Sequence, residues 1–191
     1  MTQSLYEFLY HGLSMKAAGI TLGVLVLAGH LVALLRTEPS QAWLKRFPRA
    51  TPIGIGLLIF GAIWAWVLSR HMPMGEFYPI RRWVLMLIPA GAVATILYAD
   101  DFLSVRATGI LLLLVAAPVL DASFQNWATG WFLLKLLAYA WIVIGLFFVG
   151  MPYLMRDAIL WVTRTAGRWK IACGAGAAYG AALLLCAVLW Y

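Results

Sequence analysis

A chain of 191 residues that is 64% hydrophobic and 11% charged, with mean hydropathy +0.91, has too little polar surface to cover a water-soluble globule, whose sequence would be nearer a quarter charged. Its formal charge of +7 is spread over segments between apolar runs, a distribution that orients membrane proteins and argues against nucleic acid as a partner. Cys173 and Cys186 are the whole cysteine complement; on one helix they would lie about 20 Å apart, which excludes a disulfide between them and leaves cysteine-based metal or redox chemistry without support.

Residues 1–15 mix Leu5, Tyr6, Phe8, Leu9 and Tyr10 with Glu7 and His11, too short and too polar to span, so an interfacial segment is predicted. No basic n-region precedes the first apolar run, which therefore reads as a span and not as a cleaved signal peptide. That run, 16–35, has the ~20 residues that a hydrocarbon core of roughly 30 Å requires. Arg36, Lys45, Arg46 and Arg49 follow, with Pro39 suited to the first turn of a short helix and Pro48 to its end. The second span is predicted at 52–68 and the third at 83–98, separated by a loop rich in proline and charge. Pro89 should kink the third unless a neighbour satisfies the freed carbonyl. Asp100 and Asp101 end it, and a fourth span at 102–120 leads to Asp121 and a polar outer loop. The fifth and sixth spans are predicted at 131–150 and 171–191.

Between the last two spans, Met151 to Lys170 carries Arg156, Arg164, Arg168 and Lys170. At 100° per residue, a helix here puts Arg156, Asp157, Thr163 and Arg164 on one side and Met155, Ala158, Ile159, Trp161 and Val162 on the other, so it should lie along a membrane surface. Clustered Lys and Arg mark the cytoplasmic side. With this hinge inside, Arg36, Lys45, Arg46, Arg49, Arg106, Arg156, Arg164, Arg168 and Lys170 are inside, and Lys16, Arg70, Arg81, Arg82 and Lys135 outside. The excess predicts both termini on the non-cytoplasmic side of an inner (cytoplasmic) membrane. Trp43, Phe47, Tyr153, Trp161 and Trp169 would form the inner aromatic belt, and Trp66, Trp83, Trp127, Trp131, Trp190 and Tyr191 the outer one. The predicted fold class is all-α: a polytopic transmembrane bundle of about six spans forming one domain, with two basic amphipathic surface segments.

An internal echo links the first and last pairs of spans. Each has an apolar run, a basic segment with Trp and Arg three residues apart (Trp43 and Arg46; Trp161 and Arg164), and a glycine-rich helix start (Gly54, Gly56, Gly61; Gly174, Gly176, Gly180). The echo fits either a duplicated two-helix unit or the common look of basic-inside hairpins.

Gly176 and Gly180 form a GxxxG, and Gly19 and Gly23 another. Lipid offers no hydrophobic gain when helices associate, so close backbone packing over small residues decides it. These faces can serve packing inside the chain or dock a partner subunit. Ionised groups at the bilayer centre are costly and usually functional, yet Asp101, Arg106 and Asp121 fall near span ends, where Asp101 can cap the fourth helix and Arg106 can snorkel or pair with an aspartate. They are read as structural first, and as a polar relay for protons or ions second. His30 is the one polar side chain well inside a span. It can ligate a haem or chlorophyll pigment, bond a quinone carbonyl, or donate to a backbone carbonyl. No cofactor is required by the sequence. HExxH, GxSxG with partners, a phosphate-cradling glycine loop and paired carboxylates on one helical face are all missing.

The reading is a non-catalytic membrane subunit, a structural or accessory component of a larger assembly whose partners are the bilayer and other membrane subunits. A small-solute or ion transporter, and a haem, pigment or quinone carrier using His30, are the alternatives.

Overall fold

The computed structural model describes residues 6, 7, 10, 12–98, 101–124 and 130–191. Its elements, in chain order, are α1 (Met15–Leu35), α2 (Thr37–Arg46), a 3-10 turn (Phe47–Arg49), α3 (Thr51–His71), a second 3-10 turn (Gly75–Ile80), α4 (Arg81–Tyr98), α5 (Leu103–Ala122), α6 (Trp131–Gly150), α7 (Tyr153–Val162) and α8 (Ala166–Leu189). Six segments, namely α1, α3, α4 with the turn before it, α5, α6 and α8, are long and apolar enough to cross a membrane. The protein is an all-α bundle of membrane-crossing length.

Helix ends follow local chemistry. Ser14 Oγ accepts from Ala17 N at 3.2 Å and caps α1, and Pro52 sits in the first turn of α3, where its missing N–H has no intrahelical role. The basic stretch 151–170 is not one helix. Thr163, Arg164 and Thr165 interrupt it, Thr165 Oγ1 accepts from Arg168 N at 3.3 Å, and α8 begins there. A threonine cap therefore carries Arg168, Trp169 and Lys170 into the last span, five residues before its predicted start. The cap expected from Asp101 is not made either: Phe102 holds the cap position of α5 in the left-handed region, φ 60°. Both α4 and α5 continue as α-helix through Pro89 and Pro118.

α5 is the centre of the bundle, with eight buried residues. Against α3 the approach is backbone to backbone: a Cβ on Gly54 would lie 2.6 Å from Ser104 N. Ser104 is fully buried, and its Oγ donates to Phe47 O at 2.6 Å, which pins the turn after α2 to α5. Against α6, Gly109 and Gly145 face each other: a Cβ added to Gly109 would lie 2.8 Å from Gly145 O, and one added to Gly145 would lie 2.9 Å from Gly109 O. Such spacing allows Cα–H···O contacts and dense van der Waals packing. One apolar core joins Met15 and Ala18 of α1, Ala116 and Val119 of α5, Leu134 and Ala138 of α6 and Leu183 of α8. A smaller one joins Leu58, Leu103 and Ala107, with Ala92 and Ile96 of α4 beside them.

The surface helices α2 and α7 touch each other, so both basic segments lie on one face. Arg156, in α7, sits over the Phe102 ring at 5.7 Å and brings the start of α5 to that face as well. Trp43, Tyr153 and Trp161 are exposed there and Trp83 and Trp190 at the other end. Phe47 and Trp169 are buried instead: packing takes them out of the belt. Trp127 lies outside the described residues. The echo is one of sequence order and not of packing, because α8 lies along α1 whereas α3 packs chiefly on α5 and α4.

Trp169 is 4% exposed and donates Nε1–H to Ala33 O at 3.2 Å, tying the start of α8 to the end of α1. Trp169→Phe keeps most of the ring and loses the hydrogen bond, so a loss of about 1 kcal/mol is expected. Reversible unfolding in mixed micelles measures it. At the opposite end Tyr191 Oη donates to Gly130 O at 2.6 Å, where Gly130 has φ +78° and leaves no room for a side chain beside Cys186. Burial, then Cys186 and Tyr179, push the Tyr191 phenol up to about 12 from 10.0. The neutral form is the stabilising one. Its contribution is complete below the ordinary phenol value and disappears as pH rises through about 12. Tyr191→Phe should remove that part of the alkaline dependence in unfolding titrations.

Candidate functional site

The most closely built feature is the seam between α1 and α8. Cβ atoms added to Gly19 and Gly23 would lie 2.7 Å from Ala187 Cβ and 2.9 Å from Leu184 N, and one on Gly180 would lie 2.5 Å from Leu27 N. Gly176 receives the His30 ring. The two GxxxG motifs therefore occupy successive stretches of one antiparallel seam, Gly19 and Gly23 towards the start of α1 and Gly176 and Gly180 towards its end. Each motif lies against the other helix of this chain.

His30 belongs to the same seam. Its Nδ1 lies 2.7 Å from Val26 O, and since a carbonyl only accepts, Nδ1 carries the proton and donates. The Nε2 and Cδ2 edge occupies the space where Gly176 lacks a side chain. That placement does not fit an axial ligand aimed at a haem or pigment metal. Among the described residues no three His, Cys, Asp or Glu side chains are grouped to hold a metal ion. His71 repeats the local bond, Nδ1 to Val67 O at 2.8 Å, and stacks on Tyr6 at 5.9 Å. His11 and Asp100 lie outside the described residues.

The three residues of the predicted polar relay are not brought together. Asp101 and Asp121 flank α5 at its two ends, about 30 Å apart at helical rise, and both are exposed. Arg106 pairs with neither: its guanidinium donates to Val149 O at 3.3 Å, and its Nε is buried without a partner. Arg156 and Asp157 form an ion pair at 2.9 Å, exposed on α7. Lys135 rests over the Trp131 ring at 4.3 Å, as a cation one turn inside a span can.

One arrangement was missed by sequence reasoning. Beside His30, α1, α2 and α8 enclose an apolar groove of two adjoining lobes, about 410 and 330 Å³, that share Gly29, Ala33, Leu44 and Trp169. Nothing lies within 4 Å of where a Gly29 Cβ would be. The signal available in the sequence was the Gly29–Ala33 pair, itself a small-xxx-small spacing. That spacing does not separate a glycine that admits a neighbouring helix, such as Gly180, from one that leaves space, such as Gly29.

These features define a class: an α-helical, multi-pass membrane protein whose spans are joined by glycine-to-backbone contacts. Comparison with protein-family models, curated proteins and solved structures gave no match.

Proposed function

We propose that the chain is a non-catalytic integral subunit, a structural or accessory component of a larger protein complex in the inner (cytoplasmic) membrane, with both termini on the non-cytoplasmic side. The observation that supports this reading is α4. None of its residues is buried, and within the bundle it rests on α3, through Ala92 and Ile96 near Leu58. Its outward stripe runs Leu87, Ala90, Gly91, Ala94, Leu97 and Tyr98, all exposed, and a Cβ on Gly91 would meet nothing within 4 Å. Against lipid alone, small residues gain nothing over leucine. A stripe of Ala, Gly and Ala flanked by leucines becomes useful when another helix backbone comes close.

Photo-crosslinking residues placed at Leu87 and Leu97 test the proposal in native membranes. The expected outcome is a crosslink to one distinct membrane protein, with Leu25 on α1 giving none, and a native mass of a gently solubilised sample showing the same partner at fixed stoichiometry. A lone monomer with no crosslink from α4 would contradict it.

A further inference from the structure

The groove beside α1 ends in charge. Its mouth carries Arg36, Ser40 and Trp43, and Arg36 is exposed with no hydrogen bond or ion pair from its side chain among the described residues. Its back wall is Trp169, held by its bond to Ala33 O. Its floor is the open space over Gly29, and it closes near Leu25 and Val26 beside His30.

We propose that this groove binds one anionic phospholipid of the leaflet on the basic face, its phosphate at Arg36 and Ser40 and one acyl chain along Gly29. Length supports that occupant. From Leu25 to Arg36 the helical rise is about 16 Å, which is one leaflet of a hydrocarbon core roughly 30 Å thick. A partner helix would need a track through both leaflets, and this one stops halfway. Charge supports it too: Lys45, Arg46 and Arg49 follow α2's apolar wall, and Arg164, Arg168 and Lys170 lie on the same face. Glu38, the nearest carboxylate in sequence, forms no ion pair with Arg36. Trp43, 56% exposed, places an indole at the headgroup level where amphipathic rings settle. The proposal does not depend on a partner for α4, which lies on the far side of α3.

The test uses the full chain in nanodiscs of equal phosphatidylglycerol and phosphatidylcholine, with the retained lipid measured by native mass spectrometry after release. The wild-type chain should keep phosphatidylglycerol in preference. Arg36→Gln should lower that preference about fivefold, the worth of one basic side chain at an anionic surface. Gly29→Leu should abolish retention of either lipid, because its side chain fills the floor without meeting the backbone of a neighbour. Gly174→Leu, equally open but outside the groove, should bind as the wild type does, and matching helicity by circular dichroism shows that each variant is folded. An unchanged lipid ratio in Arg36→Gln, wild-type retention in Gly29→Leu, or a protein in place of a lipid crosslinked from position 29 would overturn the proposal.

Discussion

Gly180→Leu is expected to cost about 3 kcal/mol, at the high end for forcing extra atoms into a packed core, and to separate the first span from the last. The added Cβ would come within 2.5 Å of Leu27 N and 2.9 Å of Leu27 Cα. Those are backbone atoms of a helix and cannot rotate away as a side-chain tip could. Relief requires α8 to move off α1, and with it go the seat of His30 on Gly176, the fit of Gly19 against Ala187, and the Trp169 bond to Ala33 O. In lipid no hydrophobic gain compensates for the lost contact. Gly174→Leu, on the same helix but with nothing within 4 Å, should change stability by less than about 0.5 kcal/mol. Steric-trap unfolding in bicelles compares the two. Equal effects would show that the seam does not depend on close approach.

Neutralising Arg156, Arg164, Arg168 and Lys170 together should scramble the orientation of α6 and α8. Each is placed where a charge can be held at the surface. Arg156 is paired with Asp157 at 2.9 Å and lies over Phe102. Arg168 lies over the Trp161 ring at 4.6 Å, and its guanidinium reaches Trp161 O at 3.5 Å. The bias of basic residues in short loops sets orientation, and at about 1 kcal/mol per basic side chain near an anionic surface the four together outweigh thermal energy several-fold. Reporter fusions after residue 150 and after residue 191 should then report mixed sides, where the parent reports one for each. An unchanged pattern would assign orientation to Arg36, Lys45, Arg46 and Arg49.

The spans were legible because their signal is collective. A run such as 131–150 is apolar apart from Lys135, and α6 occupies the predicted Trp131–Gly150. Ends set by one side chain were harder to read. Thr165 as a cap moved the start of α8, and Phe102 took a left-handed turn at the position expected for Asp101. The GxxxG spacing correctly marked residues built for close packing, but spacing does not say which helix fits against them; only the fold puts Gly176 under His30. The sequence had already put Asp101 and Asp121 near opposite ends of their span, and they lie at opposite ends of α5, while the bond from Arg106 to Val149 O depends on how α6 packs. Gly29 shares a small-xxx-small spacing with Ala33, yet the pair faces open space, and its role depends on α2 folding back beside it.

Six apolar helices of membrane-crossing length place both basic surface helices on one face of the bundle. Single cysteines at Lys45 and Arg164, in a background where Cys173 and Cys186 are buried, can be labelled with a membrane-impermeant maleimide in sealed right-side-out and inverted vesicles. Both positions should label in the same vesicle orientation and be protected in the other. Labelling of Lys45→Cys and Arg164→Cys from opposite sides would contradict the fold, the topology and the shared face on which the lipid groove opens.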